Sequence, residues 1–211
     1  MTAAGTPGTP MVRGAARRPR RAALVAVALA LAGVGGCGLI RPDADAPYVS
    51  TPDNVVRAML ELAEVKPGDV VYDLGSGDGR IIIMAAREFG ARGVGIEIDP
   101  QLVAHSRRRA QQLGIADRVE FVQQDLFLVD VSPATVLTLY LGQELNLRLR
   151  PRLVRELRPG SRIVSHDFGM GDWPPLRAVR IESGDRSHNV LLWTVPPRSG
   201  QLDSAAGCRG Q

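Results

Sequence analysis

The sequence predicts an α/β protein built on a doubly wound, mostly parallel sheet of seven strands. Short runs of Val, Ile and Leu alternate with stretches of helical periodicity, which is typical of parallel strands covered on both faces. A glycine-rich turn follows the first run, at the point where doubly wound sheets bind ligands. The last two apolar runs are separated by a turn alone, so they are expected to form a hairpin at the edge of the sheet.

The first predicted element is a helix within STPDNVVRAMLELAEV, residues 50–65, because its apolar residues recur at helical spacing. Ser50 or Thr51 is the expected N-cap, and Pro52 suits the first turn. The preceding RPDADAP, residues 41–47, is interpreted as a linker. The turn KPGD then leads from the helix into the first strand.

Apolar runs bounded by turn residues are interpreted as strands, and the longer periodic segments between them as helices. The elements that follow are strand Val70–Leu74, helix Arg80–Phe89, strand Gly93–Ile98, helix Pro100–Leu113, strand Val119–Val122, strand Thr135–Tyr140, helix Gln143–Leu157 and strand Arg162–His166. The closing hairpin comprises strands Leu176–Ser183 and His188–Pro196, with GDRS as the turn. Residues 48–196 therefore form one predicted domain, followed by a disordered tail at 197–211.

Charge is unevenly distributed along the 211 residues, of which 45% are hydrophobic. The formal net charge is +4, but five arginines precede Gly36 with no acid among them. Subtracting those five charges leaves −1 for the rest of the chain. A basic nucleic-acid footprint is therefore not indicated, and no nucleic-acid partner is expected.

Cysteine and histidine residues give no sign of a metal site or a disulfide. Cys37 and Cys208 stand near opposite ends of the chain, in segments of low complexity. His105, His166 and His188 are scattered, with no metal-ligand spacing among them. No metal is expected from the sequence.

The N-terminal 40 residues have the pattern of an export signal, with arginines at 13–21 and an uncharged apolar run at 22–40. Within that run VGGC, residues 34–37, resembles the lipobox of bacterial lipoproteins. The resemblance implies an exported, membrane-associated protein lipidated at Cys37. Two other interpretations stay open: an uncleaved anchor, since the run is long enough to cross a bilayer, and an upstream start codon that is not used. An anchor that faces inward, or an unused start codon, would give a cytoplasmic domain.

The stretch VVYDLGSGDGR, residues 70–80, is the strongest motif of the chain. It lacks the GxxxxGK[S/T] pattern of a P-loop. It also fails the GxGxxG dinucleotide pattern, because Arg80 occupies the position of the third glycine. What is present is DxGxGxG, formed by Asp73, Gly75, Gly77 and Gly79. Glycines in such a loop allow positive φ angles and a close approach of the ligand to the backbone.

Together with the following GVGIEID, this pattern resembles the class I (seven-β-strand) S-adenosylmethionine-dependent methyltransferases. In that family the loop wraps an amino-acid moiety rather than a pyrophosphate. The resemblance implies a Rossmann-like doubly wound seven-stranded sheet of order 3-2-1-4-5-7-6, with strand 7 antiparallel. It also implies S-adenosyl-L-methionine as the cofactor.

The resemblance also assigns roles to three acids at successive strand ends. Asp73 would lie near the cofactor ammonium, Glu97 would accept from the ribose diol, and Asp125 from the adenine amino group. The alternatives are a loop cap, a solvated strand-end charge and a turn former, respectively. The cofactor-binding residues expected in all are Tyr48, Thr51, Asp73, Gly75, Ser76, Gly77, Gly79, Glu97, Ile98, Asp125 and Leu126.

A narrower resemblance is carried by PYVSTPDNVV, DLGSGDGRIIIMAA and HDFGMGDWPP. These segments resemble prokaryotic methyltransferases similar to the mitochondrial lysine methyltransferases that act on ATP synthase subunit c and the adenine nucleotide translocase. The match covers about residues 46–196. It implies a protein lysine as the acceptor and places Tyr48 and Thr51 against the cofactor as a partial lid. The alternative for Tyr48 is a packing residue at a helix start.

The acceptor is less well defined than the cofactor. The loop TLYLGQELN, residues 138–146, lacks the Asn/Asp-Pro-Pro-aromatic motif of many amino methyltransferases, which removes support for a nucleobase or glutamine-amide acceptor. A lysine must lose its proton before transfer, at a cost of about 4.6 kcal/mol at pH 7. The catalytic candidates at the strand ends are Tyr140, Glu144, His166 and Asp167, while Trp173 either lines the acceptor pocket or caps the core.

Two alternatives to protein lysine methylation stay open at this point. A methyltransferase of the same fold could act on a small molecule, which a deep closed pocket would favour. A membrane-tethered module could instead bind the cofactor without turnover.

Overall fold

A computed structural model describes residues 48–198 of the chain. The predicted signal or anchor at 1–40 with its Cys37, the linker at 41–47 and the tail from 199 onward lie outside the described residues. Within the described part, no helix has both the length and the apolar character needed to cross a membrane.

Seven strands and four helices make up the described part of the chain. The helices are α1 (Asp53–Leu62), α2 (Arg80–Glu88), α3 (Pro100–Gln112) and α4 (Gln143–Glu156). The strands are β1 (Val70–Leu74), β2 (Arg92–Glu97), β3 (Val119–Gln123), β4 (Val136–Leu139), β5 (Arg162–His166), β6 (Arg177–Ser183) and β7 (Arg186–Thr194). They form one sheet of order β3-β2-β1-β4-β5-β7-β6, which confirms the predicted fold.

The first five strands are parallel, so their carboxyl ends lie at one edge of the sheet. In β1, Asp73 is paired with Gly95 of β2 on one side and Thr138 of β4 on the other. β7 runs antiparallel between β5 and β6, as expected. This insertion brings the N-terminal half of β7 beside the carboxyl end of β5, where His166 is paired with Val190.

The β6–β7 hairpin is tighter than the predicted GDRS turn. Ser183 and Arg186 already form a pair of the ladder, and only Gly184 and Asp185 make the turn. Gly184 has a positive φ of 59°, a conformation that a two-residue hairpin turn requires. The structure therefore starts β7 two residues earlier than predicted, and this places His188 within the paired strand.

The predicted N-cap of α1 is wrong. The helix begins at Asp53 with Pro52 as its N-cap, and no side chain caps it. The hydroxyl of Thr51 instead lies 3.2 Å from His166 Nδ1. A tertiary contact thus uses the hydroxyl that the local pattern assigns to the helix.

The core lies on both faces of the sheet. On one face α1, α2 and α3 pack their apolar sides, including the fully buried Met59 and Ile82, against the strands. On the other face α4 contributes Leu149 and Leu153, which pack in one cluster with the buried Trp193 of β7. With both faces covered, the carboxyl edge of β1–β5 and its loops form the place for a binding site.

Candidate functional site

The glycine loop after β1 requires glycine for backbone conformation and for space. Gly75, Gly77 and Gly79 have φ angles of 79°, 53° and 75°. A Cβ at Gly79 would lie 2.5 Å from a ring carbon of Phe121, and one at Gly75 would lie 2.6 Å from a methyl carbon of Leu141. The loop is fixed at its base, because the N–H groups of Gly75 and Ser76 both donate to the Ile96 carbonyl at 2.9 Å.

Asp73 is a buried carboxylate at the end of β1, with 3% of its surface exposed. Burial raises its pKa to about 7, helped by the negative charges of Glu97 and Asp78 and opposed by a hydrogen bond from Thr138. The Thr138 hydroxyl donates to Asp73 Oδ1 at 2.7 Å. Because the charged groups that act on Asp73 are themselves acids, a cation beside it would be strongly favoured.

Glu97 ends β2 and connects it to the glycine loop. Its Oε2 accepts a hydrogen bond from the Gly77 N–H at 2.8 Å, and its Oε1 accepts from the N–H groups of Ile98 and Asp99 at 2.9 and 3.0 Å. A carboxylate has about four acceptor positions. Glu97 thus fixes the loop and still retains capacity to accept from a ligand hydroxyl.

Asp125 lies two residues beyond the end of β3 and is exposed. Its Oδ1 accepts from the Phe127 N–H at 2.8 Å, the pattern of an Asx-turn. The following Leu126 is half-buried, and so is Ile98 after β2. Asp125 is therefore a turn former in this structure, and its second oxygen is the part of the carboxylate that a ligand could use.

The segment 48–51 packs over the glycine loop. The Tyr48 ring covers Gly77 so closely that a Cβ there would lie 2.5 Å from Tyr48 Cε2. Thr51 is buried, and its carbonyl accepts from Arg80 Nη1 at 2.8 Å. Arg80 also forms an ion pair with Asp78 of the loop. Arg80, which sequence reasoning used only to exclude a dinucleotide, connects the segment to the loop.

Tyr140 follows β4 and forms an aromatic wall beside the loop. Its ring stacks on His166 with centroids 3.8 Å apart, and Phe168 lies 6.1 Å away on centroids. Burial raises the pKa of the half-buried phenol. The next residue, Leu141, contacts Gly75, so this wall adjoins the glycine loop.

His166 is fully buried beneath Tyr140. Burial lowers its pKa to about 4, against the opposing effect of Asp167. Its Nε2 lies 2.8 Å from His188 Nδ1 and 3.4 Å from Asp167 Oδ2. The imidazole is therefore neutral near pH 7, and the Tyr140 ring stacks on it.

Asp167 has an unusual backbone for a non-glycine residue, with φ at 61°. Its N–H donates to the Asn189 carbonyl, and its Oδ1 accepts from the Asn189 N–H, both at 2.7 Å. Its Oδ2 lies near both His166 and His188. Both carboxylate oxygens are thus engaged with β7 and the histidines.

Comparisons with known proteins show the family to which the chain belongs. The family model for the ANTKMT methyltransferase domain matches residues 73–177. A protein-lysine N-methyltransferase of Saccharolobus islandicus (strain REY15A) is 43% identical over 150 residues, covering 71% of this chain and 93% of that protein. The chain belongs to the ANTKMT methyltransferase family.

Two further relatives of this methyltransferase show how far the similarity extends. The adenine nucleotide translocase lysine N-methyltransferase of Mus musculus is 33% identical over 162 residues, covering 76% of this chain and 68% of that protein. The crystal structure of an RNA methyltransferase from Salinibacter ruber, in complex with S-adenosyl-L-homocysteine, has 56% identity and a TM-score of 0.68. The match covers 72% of this chain and 97% of the Salinibacter ruber chain.

The protein is an S-adenosylmethionine-dependent methyltransferase, and its glycine loop fits such a cofactor. The buried Asp73, with its raised pKa, suits an ammonium group. Ser76 Oγ is buried and makes no hydrogen bond to the part of the chain that the structure describes, so it is available to a polar ligand. The cofactor supplies an electrophilic methyl group when it is bound.

Two other residues predicted for the acceptor site are Glu144 and Trp173. Glu144 is exposed on the first turn of α4. The Trp173 carbonyl accepts from Trp193 Nε1 at 2.9 Å, and the two rings lie 6.3 Å apart. Of the two interpretations of Trp173, these contacts favour the cap of the core.

One cluster in this methyltransferase was not predicted from the sequence. His166 and His188 are scattered along the chain, whereas the β5–β7 pairing brings their ring nitrogens to 2.8 Å. Both residues lie on predicted strands, but only the antiparallel register could have revealed the contact. Sequence spacings that are typical of metal ligands do not cover two residues on different strands, such as His166 on β5 and His188 on β7.

Proposed function

We propose that this methyltransferase transfers the methyl group of S-adenosyl-L-methionine to a lysine side chain of a protein by in-line displacement. The observation that carries the proposal is the aromatic wall of Tyr140, which adjoins the glycine loop through Leu141 and is backed by the buried His166. The 43% identity to a protein-lysine N-methyltransferase supports the same acceptor.

The cofactor is proposed to bind along the carboxyl edge of β1, β2 and β3. Asp73 holds its ammonium, Glu97 accepts from its ribose diol, and Asp125 accepts from its adenine amino group. The remaining proposed contacts are Tyr48, Thr51, Gly75, Ser76, Gly77, Gly79, Ile98 and Leu126. The packing of Tyr48 against Gly77 supports a lid role for segment 48–51.

The acceptor lysine is proposed to release its proton to water before methyl transfer, and desolvation of the amine is the main effect that favours this release. An amine that leaves water for the aromatic surroundings of Tyr140 and Phe168 has a lower pKa, which increases its neutral fraction. His166 is neutral and buried under Tyr140, so its part is to position that ring. Asp167 contributes indirectly, because its two oxygens are directed to Asn189 and the histidines.

The acceptor class is tested with the purified full-length enzyme and methyl-labelled S-adenosyl-L-methionine in a lysate of a strain that lacks the gene. Protein, RNA and small-molecule fractions are separated, and proteins are digested for mass spectrometry. Methylated lysine peptides are expected, and Glu97→Ala should lose the label while Glu120→Ala, exposed on β3, retains it.

The outcomes separate the competing functions. The Salinibacter ruber relative is described as an RNA methyltransferase, and label in RNA nucleosides but not in lysine would replace the proposal with that function. The near-neutral charge of the chain beyond its N-terminal arginines and the absence of the Asn/Asp-Pro-Pro-aromatic motif support lysine instead. Label only in small molecules would indicate a small-molecule methyltransferase. Label in no fraction would indicate a module that binds the cofactor without turnover.

We also propose that the N-terminal segment associates the enzyme with a membrane through lipidation of Cys37. The support is the VGGC pattern after an uncharged apolar run. Metabolic labelling with a fatty acid should mark the wild-type chain and not Cys37→Ala. An unlabelled protein that stays in the membrane fraction would indicate an uncleaved anchor. An unlabelled protein in the soluble fraction would favour the unused start codon and a cytoplasmic enzyme.

A further inference from the structure

Three atoms with lone pairs converge where the end of β5 meets β7. His166 Nε2 and His188 Nδ1 are 2.8 Å apart, and Asp167 Oδ2 lies 3.4 Å from the first and 3.6 Å from the second. Each residue contributes one atom, and each atom can bind a metal ion. The two imidazoles can share one hydrogen bond. The carboxylate oxygen lies beyond the ideal hydrogen-bond distance from either ring.

These distances fit a tetrahedral metal site. Zn²⁺ binds nitrogen and oxygen ligands at about 2.0–2.2 Å, which places the ligand atoms of a tetrahedron about 3.3 Å from one another. The three separations observed here lie on both sides of that value. Only the contact between His166 and His188 must lengthen, by roughly half an ångström, to accept such an ion.

Outer contacts orient all three residues toward a common point. Thr51 Oγ1 lies 3.2 Å from His166 Nδ1, so a hydrogen bond from that ring nitrogen leaves the lone pair on Nε2. The Asn189 N–H holds Asp167 Oδ1, which directs Oδ2 to the histidines. The left-handed backbone of Asp167 is held by the second Asn189 hydrogen bond. Strain of this kind is concentrated at functional positions.

The charges around the cluster are mixed but permit a cation. Both imidazoles are buried, and for His166 burial lowers the pKa and favours the neutral ring that a metal requires. Asp167 supplies one negative charge, and 18% of its side chain is exposed to solvent. The positive charge of Arg186 acts on His166 and opposes a cation, and the Asp167 carboxylate offsets it.

We propose that His166 Nε2, His188 Nδ1 and Asp167 Oδ2 bind one divalent transition-metal cation of the zinc class. Three protein ligands leave a fourth position for water or another ligand. The ion would cross-link β5 to β7 and, through Thr51, would stabilise the segment that covers the glycine loop. The proposal does not depend on the acceptor of the methyltransferase. The competing explanation is that His166, His188 and Asp167 bind no metal ion and only share a proton among them.

The test uses the full-length protein after treatment with a chelator, titrated with ZnCl₂ by calorimetry and with CoCl₂ by visible absorption. Cys37 and Cys208 can also bind these ions, but they are present in every variant, so differences between variants report on the cluster. The control is His105→Gln, which removes an exposed histidine of α3. One equivalent is expected to bind in the wild type and His105→Gln. His188→Gln and Asp167→Asn should bind that equivalent at least 100-fold more weakly and lose the absorption of four-coordinate Co²⁺.

The unfolding temperature gives a second measurement. Zn²⁺ should raise it in the wild type and His105→Gln but not in His188→Gln, because only a folded site gains from the ion. Equal affinity and equal unfolding shifts in all four proteins would overturn the proposal and leave a shared proton. If His188→Gln has a non-native circular dichroism spectrum, Thr51→Val decides. Zn²⁺ binding about tenfold weaker supports the site, and unchanged binding overturns it.

Discussion

The backbone N–H of Gly77 donates a hydrogen bond to Glu97 Oε2 at 2.8 Å, which joins the glycine loop after β1 to the end of β2. The other oxygen of the same carboxylate accepts from the N–H groups of Ile98 and Asp99. Glu97 therefore has two tasks in the proposed site: it fixes the loop, and it accepts from the cofactor ribose. The two tasks are separable by experiment.

Glu97→Ala is expected to weaken S-adenosyl-L-methionine binding at least tenfold, since a charged hydrogen bond contributes about 1.5–3 kcal/mol. It should also lower the free energy of unfolding of the cofactor-free protein by about 1 kcal/mol, because three partly exposed N–H groups lose their acceptor. Calorimetry and urea unfolding measure the two effects. Glu120→Ala on β3 is the control and should change neither. Unchanged affinity in Glu97→Ala would remove the ribose assignment.

Gly77→Ala should abolish cofactor binding because it displaces the lid segment 48–51. The new Cβ would lie 2.5 Å from Tyr48 Cε2, so the Tyr48 ring must leave its position. Replacement of a glycine at positive φ also costs about 1 kcal/mol of stability on its own. Binding is measured by calorimetry and stability by urea unfolding.

The matched control for that substitution is Gly68→Ala. Gly68 has a φ of 95°, but an added Cβ there meets no atom within 4 Å. It should therefore show the backbone cost and normal cofactor affinity. If Gly77→Ala binds the cofactor as well as Gly68→Ala does, the Tyr48 contact has no role in the site.

Asp73 should make cofactor affinity depend on pH. Its pKa of about 7 means that the carboxyl is partly protonated near neutrality, whereas the proposed ammonium contact requires the charged form. Affinity is expected to rise as the pH increases from about 6 to 8, with proton release on binding below pH 7. Calorimetry in buffers of different ionisation enthalpy measures both. A flat affinity profile would contradict the assignment, and Asp73→Asn should bind weakly at every pH.

The same group has an opposite effect on the stability of the cofactor-free protein. The folded state holds the Asp73 proton more tightly than the unfolded state, whose carboxyl has a pKa near 3.8. The contribution of Asp73 to the free energy of unfolding therefore decreases as the pH rises from about 4 to about 7. Urea unfolding of the wild type and Asp73→Asn across this range should show the difference. A constant difference between them would argue against a raised pKa.

Tyr140 should affect turnover rather than cofactor binding. Tyr140→Ala removes the wall beside the loop and is expected to lower kcat/KM for the protein substrate about 100-fold, whereas Tyr140→Phe retains the ring and should stay within about threefold. Steady-state kinetics and calorimetry with the cofactor separate the effects. Tyr72→Phe, on β1, is the control. A Tyr140→Phe variant as inactive as Tyr140→Ala would assign the role to the phenol hydroxyl instead.

The sequence by itself determined the fold class and the cofactor family, and it predicts the main acids of the proposed site. Strand and helix periodicity are local properties, and the glycine pattern lies within a few consecutive residues. Asp73 and Glu97 follow from the same logic, because the carboxyl ends of neighbouring parallel strands meet at one edge of the sheet. The fold class needs only local patterns and the order of the elements along the chain, and the cofactor follows from the resemblance of the glycine pattern to a known family.

Only the tertiary structure decided the contacts that depend on pairing between distant parts of the chain. The Thr51 hydroxyl contacts His166 across 115 residues instead of capping α1, and His166 meets His188 across 22 residues through the β5–β7 ladder. A shift of one residue in that ladder would turn His188 to the opposite face of the sheet. Such a register depends on the hairpin turn and on the packing of both faces, which no local pattern in the chain specifies.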